Sequence, residues 1–160
     1  MKVVTWNCNG ALRRKLAEAD SLRADVLVVQ ECEDSALSTP EYREWAGSYL
    51  WVGESKNRGI GIFPRNGHRV EKLDWRGSFS VPGLFSKSET LNWSTEDLRL
   101  FLPFTVNRDF TVLAVWTKER NEEAFGYMGK FWKYLQIHRD DLSGSKTVIL
   151  IHVVRRSIKR

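Results

Sequence analysis

Two short polar endings hold the side chains in this chain best suited to chemistry. The stretch VTWNCNG, residues 4–10, closes an apolar run with Asn7 and Asn9, and ADVLVVQECE, residues 24–33, closes a second with Glu31. A carboxylate is a hard oxygen donor of the kind Mg²⁺ prefers. Asn7 and Asn9 lie two apart, on one face of an extended chain, and can hydrogen-bond a metal-bound water or a phosphate oxygen. Ligand sites in open α/β sheets lie beyond the carboxyl ends of strands, so polar residues at two such ends converge across one strand spacing. The same residues have a plainer reading: Glu31 as a solvated strand end, and Asn7 with Asn9 as builders of the turn to Gly10. If Asn7 and Glu31 face a cleft, alternation turns Cys8 and Cys32 away from it. Two cysteines without CxxC spacing read as small buried hydrophobes, not as a nucleophile, a disulfide framework or a zinc site.

The elements that must position these residues follow from periodicity. KVVTWN (2–7) and DVLVVQE (25–31) read as strands, and Leu12, Leu16, Ala19 and Leu22 recur at helical intervals between them. Strand, helix, strand makes a βαβ unit with a parallel pair. SYLWVGES (48–55) and RGIGIFPR (58–65) flank a Lys56-Asn57 turn as a hairpin, and HRVEKLDW (68–75) reads as a third meander strand. GIGIF lacks the spacing of a phosphate-cradling loop and opens no helix, so its glycines read as closely packed strand positions. LRLFLPFTV (98–106) and FTVLAVWT (110–117) form a second antiparallel pair, residues 124–142 a second helix with Phe125, Met128, Trp132 and Leu135 on one face and Tyr127, Phe131 and Tyr134 widening that stripe, and KTVILI (146–151) a last strand. Residues 76–97 give no firm signal. One α/β sandwich of mixed sheets is the economical architecture.

At 160 residues and 42% hydrophobic content the chain suits one folded domain. No apolar run approaches the roughly 20 residues that cross a bilayer, and no secretory signal opens the chain, so a soluble, cytoplasmic protein without a membrane or protein partner is expected. The net charge of +5 points toward nucleic acid only until its distribution is read. Arg155, Arg156, Lys159 and Arg160 supply four of the 25 basic residues, leaving 21 against 20 acidic ones elsewhere. The body is nearly neutral, so phosphate binding by it requires a local site. Three histidines are available as a general base. His68 opens a meander strand and reads as exposed, His138 stands beside Arg139 and Asp140 on what reads as a solvated helix face, and His152 has no evident Asp partner.

VTWNCNG followed by ADVLVVQECE resembles the opening of the endonuclease/exonuclease/phosphatase superfamily, whose members begin with a strand ending in a WN-type pair and a second ending in QE. GIGIF (59–63), FTVLAVWT (110–117) and GYMGKFWKYL (126–135) are similar in order and spacing to bacterial members, and the resemblance spans residues 1–151. It implies an α/β (α+β) fold, the N-terminal portion of a four-layer αββα sandwich with mixed sheets. It also implies hydrolysis of phosphate esters, commonly in nucleic acid, with Mg²⁺ as cofactor and Mn²⁺ as its substitute. Carried over, Asn7 and Glu31 become catalytic and metal-binding residues, Asn7 meeting the phosphate or metal-bound water. Asn9 and Trp116 fall on the substrate side. Trp116 stands where the family often has a Tyr or His reaching the phosphate, but an indole has one donor and no basicity, and a core aromatic is its other reading.

In that family a strand such as TVILI runs into GDFN or GDLN, and an SDH follows later. Here Ile151 is followed by HVVRR, and neither motif is present. Residues 1–151 are therefore expected to form an incomplete domain, and residues 152–160 a basic tail foreign to the fold, arising by truncation or a shifted reading frame. Loss or strong impairment of catalysis is expected. The alternative is a non-catalytic fragment that binds nucleic acid through the basic tail.

Overall fold

Alternating apolar side chains on four strands of each sheet build two faces that pack on each other. The computed structural model describes residues 1–82, 90–117, 126–143 and 146–153; Phe125 and the basic tail from residue 154 lie outside them. The strands are β1 (Val3–Asn7), β2 (Val26–Cys32), β3 (Leu50–Ser55), β4 (Arg58–Pro64), β5 (Val70–Lys72), β6 (Ser78–Pro82), β7 (Thr90–Ser94), β8 (Phe101–Val106), β9 (Phe110–Thr117) and β10 (Thr147–Val153). The helices are α1 (Leu16–Ser21), α2 (Pro40–Ala46), α3 (Gly126–Ile137) and α4 (Arg139–Ser143). The first sheet has the order β1-β2-β4-β3 and the second β10-β9-β8-β5, with β6 and β7 as a separate hairpin. Each large sheet carries one parallel pair, β1 with β2 and β10 with β9, and is antiparallel beyond it.

Val26, Val28, Ile60 and Ile62 of the first sheet meet Leu102, Phe104, Val112 and Trp116 of the second, all buried. The outer face of the first sheet, with Leu27, Val29 and Phe63, is covered by Leu12, Ala19, Tyr42 and Ala46 from the α1 and α2 side. Tyr134 of α3 covers Phe101, Leu113 and Val115 on the outer face of the second. Helix, sheet, sheet and helix make four layers of a mixed α+β sandwich. The glycines of GIGIF are packed close: a Cβ on Gly59 would stand 2.3 Å from the Val52 carbonyl oxygen and 2.6 Å from the Trp51 ring. Among the described residues no helix is long and apolar enough to cross a membrane.

Several elements depart from the sequence expectation. The helix expected from the spacing of Leu12, Leu16, Ala19 and Leu22 is a 3₁₀ turn, Leu12–Arg14, and then α1, interrupted at Lys15. The third meander strand shrinks to β5, which joins β8 of the other sheet instead of extending β4. His68 opens no strand and is half-buried, its Nδ1 2.8 Å from Asn107 Nδ2. The late helix divides at His138; of its expected apolar stripe Phe131 and Tyr134 are packed, joined by Ile137, while Met128 and Trp132 are exposed. Trp132 instead sits edge-on to Phe79 and Trp93 of the β6–β7 hairpin. His138 is fully buried, not on a solvated face, because the helix break turns its ring inward against Trp75 and Tyr134. α2 has a signal that periodicity overlooks: Thr39 caps it through its hydroxyl, and Pro40 fills the first turn.

β10 continues through His152 and Val153, paired with Trp116 and Thr117 of β9. Among the described residues it is an edge strand, and Val148 and Ile149, on opposite faces, are 49% and 39% exposed. An apolar edge open on both faces is a template for pairing with another chain. Val148→Lys with Ile149→Lys is expected to lower concentration-dependent light scattering without changing the far-ultraviolet circular dichroism.

Candidate functional site

The parallel pair places the ends of β1 and β2 side by side, with Asn7 in register with Gln30. Val3 packs into the inter-sheet core and Val4 and Trp6 into the outer one, so Asn7 follows Val3 and Thr5 onto the inner face. On β2 the inner positions are Val26, Val28 and Gln30, and Gln30 Nε2 donates to Thr5 Oγ1 at 2.8 Å. Strict alternation would send Glu31 outward with Leu27 and Val29, away from Asn7.

A β-bulge prevents this. The pairing with β4 steps from Gln30–Ile60 to Cys32–Gly59, leaving Glu31 as an extra residue with φ +63°. Cys32 takes up the outward phase in the cluster with Val29 and Tyr42. Glu31 turns to Asn7, whose Nδ2 donates to its Oε1 at 3.0 Å. Asn7 Oδ1 in turn accepts the Asn9 N–H at 2.8 Å. Glu31 is 7% exposed, and its Oε2 has no hydrogen-bond partner among the described residues. Asn9, itself left-handed at φ +53°, presents an exposed side chain beside the pair.

Trp116 lies in the inter-sheet core at 2% exposure. An indole so enclosed reaches a substrate only if its neighbours give way. Cys8 and Cys32 are both buried on the face away from Asn7; burial pushes the Cys8 thiol up to about 11 and raises the Cys32 thiol as well, which leaves both as inert thiols. Among the described residues no three His, Cys, Asp or Glu side chains gather as a metal cluster.

Glu33 is a residue that sequence reasoning passed over. It is 5% exposed and accepts from the Leu12 N–H at 2.9 Å, the Arg13 N–H at 3.3 Å and the Arg13 guanidinium at 2.8 Å. Burial pushes its carboxyl up, but the hydrogen bonds, including those from Arg13 and Leu12, outweigh it and hold the group below its ordinary value of 4.5. A depressed carboxyl stabilises the fold fully above that ordinary value and ceases to do so as pH falls through the lower folded one. Glu33→Gln is expected to cost about 1 kcal/mol at pH 7 by urea unfolding, and the difference from wild type to vanish toward the acid limit.

No protein-family model matches the sequence, and no curated protein does. Solved structures do match. The 3'-5' exonuclease NExo of Neisseria meningitidis superposes with a TM-score of 0.55 at 20% identity, over 94% of this chain and 57% of its own. The chain has the fold of this exonuclease. A 3' phosphatase form of NExo bound to a product DNA hairpin gives a TM-score of 0.56 at 21% identity, covering 94% of this chain and 56% of that one. A mannosyl-6-phosphatase from Bacteroides thetaiotaomicron gives 0.52 at 12% identity, over 96% of this chain and 64% of its own. The chain thus spans between about half and two thirds of the length of these phosphoesterase-like neighbours.

Proposed function

We infer that the chain carries the cation-binding end of a Mg²⁺-dependent phosphoesterase acting on nucleic acid, and that in this form it turns over phosphodiesters slowly or not at all. The observation behind this reading is the Asn7–Glu31 hydrogen bond at the ends of two parallel strands, made by a bulge that turns the carboxylate toward the amide. The donor set suits the ion. Glu31 Oε2 is a hard oxygen without a protein partner among the described residues, and Asn7 Oδ1 keeps a second lone pair beyond the one that Asn9 uses. Mg²⁺ commonly takes one or two protein oxygens and completes its shell with water and phosphate, and Mn²⁺ accepts the same donors. A cation held there supplies charge neutralisation on a phosphoryl oxygen.

The chain's own residues do the positioning. Asn7 orients Glu31, the Asn9 N–H fixes the Asn7 amide, and the enclosed carboxylate keeps its charge in one place. Among the described residues Glu31 pairs with Asn7 and not with a histidine, and general-base help is commonly worth about 10²–10⁴-fold. Nucleic acid is favoured as the substrate class because one neighbour, NExo, is an exonuclease and in a second structure is bound to a DNA hairpin. The alternative, binding without turnover through the basic tail, rests on residues outside the described ones and has no observation in its favour.

The test uses a hairpin DNA oligonucleotide and a simple aryl phosphodiester with Mg²⁺ or Mn²⁺, before and after chelation. Any turnover is expected to vanish with chelation and in Glu31→Ala, and the cation heat measured by calorimetry to vanish with it. Turnover that survives both treatments refutes the assignment.

A further inference from the structure

The backbone after β1 is left-handed at three residues in succession, Asn9, Gly10 and Ala11, with φ of 53°, 78° and 53°. Gly10 adopts this freely and Asn9 tolerates it, but Ala11 is strained by its Cβ. Such a stretch persists only when its surroundings hold it. Lys15, the residue that interrupts the helix, does so: its ammonium donates to the carbonyl oxygens of Cys8 and of Gly10, the latter at 3.0 Å, from a part-buried position. Glu33 braces the far side through the Leu12 and Arg13 amides.

The braced stretch contains the Asn9 N–H that donates to Asn7 Oδ1. That bond decides which way the Asn7 amide points, since its oxygen and nitrogen ends have nearly the same shape. With the amide reversed, Nδ2 would meet an N–H donor and Oδ1 would meet a carboxylate oxygen. The hold on the loop therefore reaches Glu31 through three consecutive contacts: ammonium to loop carbonyls, loop amide to Asn7, Asn7 to Glu31.

We propose that Lys15 is a positioning residue of the cation site: by bridging the Cys8 and Gly10 carbonyls it holds the left-handed loop that points the Asn7 amide at Glu31, and so sets the affinity of that pair for Mg²⁺. The proposal rests on the cation-binding reading above. Removing a partner one step behind a metal ligand commonly weakens binding by 10–100-fold.

Lys15→Met keeps the aliphatic stem and removes the donors. It is expected to raise the calorimetric Kd for Mg²⁺ and for Mn²⁺ by about tenfold and to shift the Asn7 side-chain amide signals in the NMR spectrum of the metal-free protein. Lys15→Arg, which keeps a charged donor, is expected to restore most of both. Ala11→Gly added to Lys15→Met removes the strain that the ammonium opposes, and is expected to recover affinity in part. Glu31→Ala serves as the control. If it leaves cation binding unchanged, the cation reading itself fails, whatever Lys15 does. If Glu31→Ala abolishes binding while Lys15→Met keeps wild-type affinity and unshifted Asn7 signals, the Lys15 proposal is overturned. Should Lys15→Met fail to fold, Lys15→Arg and the Ala11→Gly double variant still decide, and failure of both to hold the Asn7 signals near their wild-type positions counts against it.

Discussion

Glu31→Gln is expected to weaken Mg²⁺ binding by at least about tenfold while leaving the fold intact, because it removes the charge and keeps the shape. Oε1 would still accept from Asn7, so the bulge and its pairing with Gly59 lose nothing essential. Glu31→Gly sharpens the test. At φ +63° a side chain costs about 1 kcal/mol that glycine avoids, and glycine's greater freedom in the unfolded chain costs a similar amount. The two nearly cancel, so Glu31→Gly should melt close to wild type and yet lose the cation. Glu31→Val should lose both, since a β-branched residue is poorly tolerated at positive φ. Calorimetric titration with Mg²⁺ alongside thermal denaturation separates the outcomes: wild-type affinity in Glu31→Gly would mean that the carboxylate is structural only.

The largest stability effect outside the inter-sheet core is expected at His138. Its ring is fully buried, with Nδ1 2.8 Å from Asp141 Oδ2, Nε2 2.9 Å from Thr95 Oγ1, Trp75 stacked at 5.5 Å and Tyr134 at 4.4 Å. Thr95 also accepts from the Gly77 N–H at 3.0 Å, so this one ring ties the base of the β6–β7 hairpin to the α3–α4 break. Truncation to Ala leaves a cavity and deprives two polar groups of their partner, for about 2–4 kcal/mol in total. Thr95→Val, which removes the hydroxyl that meets His138 and the Gly77 N–H and carbonyl while nearly keeping the volume, is expected to cost about 1–3 kcal/mol. Urea unfolding measures both, and a His138→Ala variant as stable as wild type would contradict the burial described here. The constellation has the atoms of a hydroxyl, imidazole and carboxylate relay, but Thr95 Oγ1 is already engaged with Gly77 and His138.

Much of the layered fold is legible in the chain itself. The alternation in KVVTWN and FTVLAVWT, the continuous run DVLVVQE and the helical spacing between the first two strands account for β1, β2, β9 and the βαβ unit, since local periodicity decides which face of an element is apolar. The shorter elements resist such reading. α2 has seven residues, β5 has three, and the β6–β7 hairpin lies in a polar stretch whose Phe79 and Trp93 matter only once α3 brings Trp132 to them. His138 looks solvated beside Arg139 and Asp140 because its burial depends on Trp75 and Thr95, more than forty positions away in the chain.

For the candidate site, the sequence by itself determined which groups stand at the two strand ends: an amide at Asn7 and a carboxylate at Glu31. Their meeting was decided only in three dimensions. In register, Asn7 lies beside Gln30, and plain alternation would point Glu31 to the opposite face. One unpaired residue opposite β4 reverses that phase. A bulge is a property of pairing between strands distant in sequence, and it depends on Gly59 admitting the Trp51 ring and the Val52 carbonyl where any side chain would collide. No local pattern in residues 24–33 encodes it, because the cost at Glu31 is local while the contacts that repay it come from β4 and β1.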